Sequence, residues 1–265
     1  MATVRLNGIK LSYDVQGSPE HEPLLLIAGF NSDISSWSAL MPLLIKQYRV
    51  IRFDNRGIGQ SSALDAAYSI QQLAADAIAL LDHLEIPQAH VVGHSMGGQI
   101  AQELVLAYPT RVQSLILLSS WAKGDNKFHS LIELFGDLAV QLDRVQYTKV
   151  LLPWMFSTAF YSSPGAIELI ISMVEKSPFP PAPNILYHQS RAILNSDTSD
   201  RIATIQVPTL VVVAKEDLVT PVIFSQHLSQ GIPTAELVVL EQGGHAFIIE
   251  VAEAVANVMI NFLTI

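Results

Sequence analysis

Residues 90–98 read His90-Val91-Val92-Gly93-His94-Ser95-Met96-Gly97-Gly98. His90 to Gly93 has the length and apolar character of a short buried strand. Ser95 to about Tyr108 has helical character, and Pro109 stops it because proline cannot continue a helix. Between the two stands Gly93-x-Ser95-x-Gly97, a serine on a one-residue turn from strand to helix. The chemistry of such a turn dictates its glycines. The serine must adopt a strained backbone conformation, and side chains two positions to either side would collide with the neighbouring chain. The serine Oγ is then pushed out of the sheet, and the Met96 N–H stands at a helix start, where free donors and the helix dipole favour negative charge.

Working outward, the same strand-then-helix rhythm recurs. Val4 to Leu6, a turn at Asn7-Gly8, and Ile9 to Val15 predict a hairpin. Leu24 to Ile27 and Arg49 to Phe53 are strand-like. Trp37, Leu40, Met41, Leu44 and Ile45 between them have helical spacing. Ser69 and Gln72 form a capping box ahead of the apolar face Ile70, Leu73, Ala77, Leu80, Leu81 and Leu84. Val112 to Ser119, Thr209 to Ala214 and Ala235 to Leu240 are further strands. Thr220-Pro221 reads as the start of a helix, and Ala246 to about Leu263 as the last one. Alternation of this kind predicts an α/β fold: a mostly parallel twisted sheet with helices on both faces. Residues 121–200 break the rhythm with helical periodicity and no strand. They predict a helical cap inserted into a core made of 1–120 and 201–265.

Composition narrows the function. The chain has 265 residues, half of them apolar, and a net charge of −9 from 15 basic and 24 acidic residues. That balance argues against nucleic acid or an anionic membrane as the main partner. There is no cysteine, so thiolate chemistry, disulfides and cysteine-held metals are excluded. The start lacks a signal-peptide pattern and no apolar run has transmembrane length, so a cytoplasmic location is expected. No acidic or histidine cluster has metal-ligand spacing, and Gly57-x-Gly59 lacks the residues a nucleotide site needs. No cofactor and no metal is expected.

A serine nucleophile needs a base, and the base an orienting acid. His245, in Gly243-Gly244-His245-Ala246-Phe247, follows the last strand and so lies at the same sheet edge as Ser95. His94 is next to Ser95, but a neighbour on this turn points away. Asp217 follows the strand Thr209 to Val213 and fits best as the acid, with Glu216 its nearest rival. An anionic tetrahedral intermediate needs two donors. The Met96 N–H is one, and the Phe30 N–H, after Gly29 in the loop beyond Leu24–Ile27, is the other.

The order Ser95, Asp217, His245 is that of the α/β-hydrolases, and the chain resembles that family over nearly its whole length. Asp54-Asn55-Arg56-Gly57-Ile58-Gly59-Gln60-Ser61 is similar to the family's D-x-R-G-x-G-x-S loop, and Val207-Pro208-Thr209-Leu210 precedes the acid strand. Ala28 stands where many members have histidine, Ala214 where glycine is usual, and Asn55 at a variable position. Within the family the chain resembles capped small-molecule members: 3-oxoadipate enol-lactonase, aminoacrylate hydrolase and related carboxylesterases. The resemblance implies a serine hydrolase acting on a small ester, lactone or related acyl substrate. The alternative is a ligand-binding or signalling receptor of the same fold with slow or single turnover. The pocket is expected between Ser95 and the cap, walled by Gly29, Trp121, Trp154 and Phe156. His188 and Arg191 are either surface residues or a site for an anionic group.

Overall fold

A computed structural model describes residues 1–64 and 66–264. Among these, one eight-stranded sheet runs in the order β1-β2-β4-β3-β5-β6-β7-β8. Its strands are β1 (Ala2–Leu6), β2 (Ile9–Gln16), β3 (Glu22–Ile27), β4 (Tyr48–Phe53), β5 (Ala89–His94), β6 (Val112–Leu118), β7 (Thr209–Ala214) and β8 (Ala235–Leu240). The β1–β2 hairpin is closed by Asn7 and Gly8, both at positive φ, and pairs antiparallel with β4. From β4 to β8 every pairing is parallel.

Parallel strands buried on both faces read as unbroken apolar runs, because successive side chains point to opposite layers. Leu25, Ile27, Val91, Leu115, Leu117 and Val211 belong to one apolar cluster. Their neighbours Leu24, Leu26, Val92, Ile116, Leu118 and Val212 belong to the other. Helices α2 (Ile70–His83) and α3 (Met96–Ala107) contribute to the first layer. Helices α1 (Met41–Leu44) and α11 (Ala252–Leu263) contribute to the second.

Between β6 and β7 the chain forms α4 (Asn126–Gln141), α5 (Arg144–Met155), α6 (Thr158–Tyr161), α7 (Ala166–Lys176) and α8 (Pro183–Leu194). Helices α4 and α8 pack so closely that a Cβ on Gly136 would stand 2.0 Å from the Ser190 Oγ. Phe128, Ile132, Phe135, Leu151 and Ile185 from these helices join the same apolar cluster as α2 and α3. Helices α4, α5 and α8 therefore extend one layer of the core, while Leu152 and Phe156 form a small separate cluster with Ala246, against which Phe160 of α6 and Ile167, Ile170 and Ile171 of α7 pack.

Three elements differ from the sequence expectation. The helix read from Trp37 to Ile45 is instead a 3-10 turn, Ile34–Trp37, followed by the single turn α1. Pro42 in its first turn accepts only a helix start. The last helix is broken at Val251 (φ −130°, ψ 44°) into α10 (Phe247–Glu250) and α11. Helix α9 (Val222–Gly231) begins one residue late, with Pro221 as its cap, because the Thr220 hydroxyl is turned toward Asp217.

The family-like loop 54–61 is a brace. The Asp54 carboxylate accepts from the Ile34 and Gln60 N–H groups, and Ser61 donates to the Asp54 carbonyl. Arg56 reaches further, forming a buried two-pronged ion pair with Asp76 on α2 at 2.8 Å.

Candidate active site

Gly29, Phe30, Ser95, Met96, Trp121, Asp217 and His245 lie just beyond the carboxyl ends of parallel strands, where ligand sites of open α/β sheets form, while Trp154 and Phe156 stand at the end of α5. Ser95 follows β5 with φ 56° and ψ −120°, a conformation costing about 1–3 kcal/mol for a residue with a Cβ. Its N–H donates to the Leu118 carbonyl, and its own carbonyl accepts from the Ser120 Oγ. A Cβ on Gly93 would stand 2.2 Å from the Gly97 carbonyl oxygen, and one on Gly97 would stand 2.0 Å from the Ile27 oxygen. The turn thus admits only glycine at those two positions.

Ser95, His245 and Asp217 form one buried row. The Ser95 Oγ is 2.9 Å from the His245 Nε2, and the His245 Nδ1 is 2.9 and 3.0 Å from the two Asp217 oxygens. Asp217 also accepts from the Val219 and Thr220 N–H groups and from the Thr220 hydroxyl. Burial alone would raise this carboxyl. The attraction of His245 and the hydrogen bonds from His245 and Thr220 outweigh that and hold it below its ordinary value, so it stays charged. Glu216 turns the other way and accepts from the Thr158 N–H at the start of α6.

The loop that carries His245 is fastened on three sides. The Gly244 N–H donates to the Glu250 carboxylate at 2.8 Å, and the Ala246 N–H to the Met155 carbonyl at 2.7 Å. The His245 carbonyl accepts from the His94 Nε2 at 2.9 Å. That acceptor fixes the proton of neutral His94 on Nε2. Burial pushes the His94 imidazole down to about 3, and its neighbour His245 adds to the shift. Glu250 also receives the Ser157 N–H and hydroxyl, tying the α5–α6 junction to the base loop. Sequence reading missed Glu250, Thr220 and the contact made by His94. The Asp217-x-x-Thr220 spacing of an Asx turn was the one local signal.

A cavity of about 150 Å³ opens on Ser95 and His245. Gly29, Phe30, Trp121 and Phe156 line it. The loop after β3 passes so near that a Cβ on Gly29 would stand 3.1 Å from the Ser95 Cβ. Met96 is buried as the first residue of α3. Trp121 is held by its carbonyl, which accepts from Gln99 and Gln102, and its ring packs 4.6 Å from Phe128. Trp154 does not line the cavity. On α5 the lining side chains are Thr148, Leu151, Leu152 and Met155, and Trp154 lies round the helix from them, its ring edge-on to Phe135. Arg191 is engaged with Glu133 and stacked over Tyr187. A larger cavity of about 350 Å³ adjoins the first, sharing Asn31, Ser32, Thr148, Phe156, Ile170 and Val174.

A serine on a strained turn after a central strand, hydrogen-bonded in a row to an imidazole and a carboxylate from the loops after β8 and β7, is the arrangement of an α/β-hydrolase. The chain belongs to that family: the alpha/beta hydrolase fold profile matches residues 22–151, and a TAP-like protein profile matches 189–265. A curated relative from Variovorax paradoxus (strain S110), named "Putative carbamate hydrolase RutD", is 31% identical over 260 residues, 96% of each chain. The crystal structure of the enol-lactonase from Burkholderia xenovorans LB400 is 26% identical, covers 100% of both chains and gives a TM-score of 0.91. Est816, described as an N-acyl homoserine lactone degrading enzyme, is 30% identical over 98% of this chain and 100% of its own, with a TM-score of 0.82. Among the described residues no helix is long and apolar enough to cross a membrane.

Proposed function

We propose that the chain is a serine hydrolase that cleaves a small carboxylic ester or lactone through an acyl-enzyme on Ser95. The observation that carries this reading is the Ser95–His245–Asp217 row, with both links at 2.9 Å, opening on an apolar cavity. The Ser95 Oγ attacks the carbonyl carbon while the His245 Nε2 takes its proton. Charged Asp217 holds the imidazole by its Nδ1–H and stabilises the cation that forms. The Phe30 and Met96 N–H groups hold the oxyanion. His245 then gives its proton to the departing alkoxide, and the same imidazole activates water to free the acid and restore Ser95. Residues 1–120 and 201–265 serve as the catalytic core, and 121–200 as a cap that shapes the pocket.

The relatives' names set the competing bonds: carbamate, enol-lactone and acyl homoserine lactone. A panel of chromogenic esters of increasing acyl length, run beside simple lactones and an alkyl carbamate, tests the reading. Multiple turnover of an ester or lactone that disappears in Ser95→Ala is the expected result. Turnover of the carbamate alone would move the reading to that bond. Ligand retention with a single turnover would move it to a receptor.

A further inference from the structure

The two cavities differ in chemistry as well as size. The inner one, against Ser95, is walled by buried Trp121, Ile132, Phe135, Leu151 and Ile193. Among the described residues lining it there is no Lys, Arg, Asp or Glu; its titratable side chains are His94 and His245. His94 is buried and neutral, and its one N–H on Nε2 is used by the His245 carbonyl. His245 is committed to Asp217 on one side and Ser95 on the other. The Asn31 N–H at the edge is already given to the Gln189 Oε1. A carboxylate brought into this chamber would lose its water and meet no cation, which strongly disfavours its burial.

The outer chamber is different. Its lining is apolar over much of its area but adds Asp33, Ser35, Ser36 and the charged Arg144, none of which the inner chamber has, and exposed Met173 and Phe179 stand on its rim, so it opens to solvent. The order of bond breaking decides which arm of a substrate belongs where. In acyl transfer through Ser95 the Oγ–carbon bond forms and the carbon–alkoxide bond breaks. With an open-chain ester the serine proton passes through His245 to the alcohol, which departs while the acyl group is still attached; with a lactone the freed alcohol stays tethered to the acyl chain and must be accommodated beside it. An alcohol lodged in the inner chamber would be trapped behind that acyl group. One lodged in the outer chamber leaves directly.

We propose that the substrate's acyl arm is uncharged and apolar and occupies the inner chamber, while its alcohol arm, polar groups included, extends through the outer chamber toward solvent. This deepens the serine-hydrolase reading and rests on it. The test compares 4-nitrophenyl butyrate with 4-nitrophenyl hemisuccinate, the same four-carbon acyl chain with its terminal methyl replaced by carboxylate. The hemisuccinate should have a kcat/KM lower by at least tenfold, and we expect about a hundredfold. Ethyl butyrate and glyceryl monobutyrate, which differ only in the alcohol, should fall within about tenfold of each other. Hemisuccinate turnover within tenfold of butyrate overturns the proposal, and so does a larger gap between the two alcohols. Fluorophosphonate labelling separates the levels. Protein labelled at Ser95 that hydrolyses both acyl groups alike loses this inference and keeps the hydrolase reading. Protein that is neither labelled nor active on any of these esters loses both.

Discussion

Asp217 and Glu216 are adjacent carboxylates with opposite surroundings, and their surroundings decide what each does. Asp217 is buried against the His245 Nδ1 and takes three further hydrogen bonds from the turn after β7. Glu216 reaches out to the start of α6. Asp217→Asn should therefore lower kcat by about 10⁴, as a wrong imidazole tautomer does in serine proteases. Glu216→Gln should leave kcat within about twofold, since it touches neither Ser95 nor His245. A reversal of the two effects would make Glu216 the acid. His94 gives a second residue-scale expectation, read in stability. Its folded imidazole titrates at about 3, far below the ordinary 6.5. Between those values the unfolded chain binds a proton at His94 that the folded chain does not, so this contribution is complete above pH 6.5 and is lost as the pH falls toward 3. Urea midpoints should drop between pH 7.5 and pH 5, and less steeply in His94→Gln. Equal slopes would contradict the assignment.

At the scale of elements, the sequence was legible where a local rule acts and silent where partners come from far away. Gly93 and Gly97 around Ser95 announce the turn because backbone crowding there leaves no room for a Cβ. Asn7-Gly8 announces the hairpin, and Ser69, whose Oγ accepts from the Gln72 N–H, announces α2. The break at Val251 was hidden. Local periodicity carries the helix through it, while the Glu250 carboxylate is engaged by Gly244 and by Ser157 across the cap junction. The pocket wall was half legible for the same reason. Trp154 and Phe156 look alike in sequence, but only Phe156 reaches the cavity. Phe156→Ala should raise KM for a butyrate ester several-fold. Trp154→Ala should lower the melting temperature and leave KM unchanged. Equal KM effects from both would mean that the cavity extends round α5.

Across the whole molecule, the order β1-β2-β4-β3-β5-β6-β7-β8 brings residues 28–31, 95, 217 and 245 to one edge, although more than two hundred positions separate the first from the last. The strands were readable one by one, and their neighbours in the sheet were not, because pairing depends on long-range crossovers. Of the inserted helices, α4, α5 and α8 share an apolar cluster with α2 and α3, and Phe156 of the insertion packs with Ala246 beside His245. Cap and core should therefore melt in one calorimetric transition, and two resolved transitions would contradict that shared core. Every step proposed for this site depends on Ser95 as the nucleophile. The most direct test of that role is intact-mass and peptide mapping after reaction with a fluorophosphonate. One adduct, located on Ser95, is expected, and none in a folded Ser95→Ala variant. An unlabelled wild type, or an alanine variant labelled as fully as the wild type, would contradict that role.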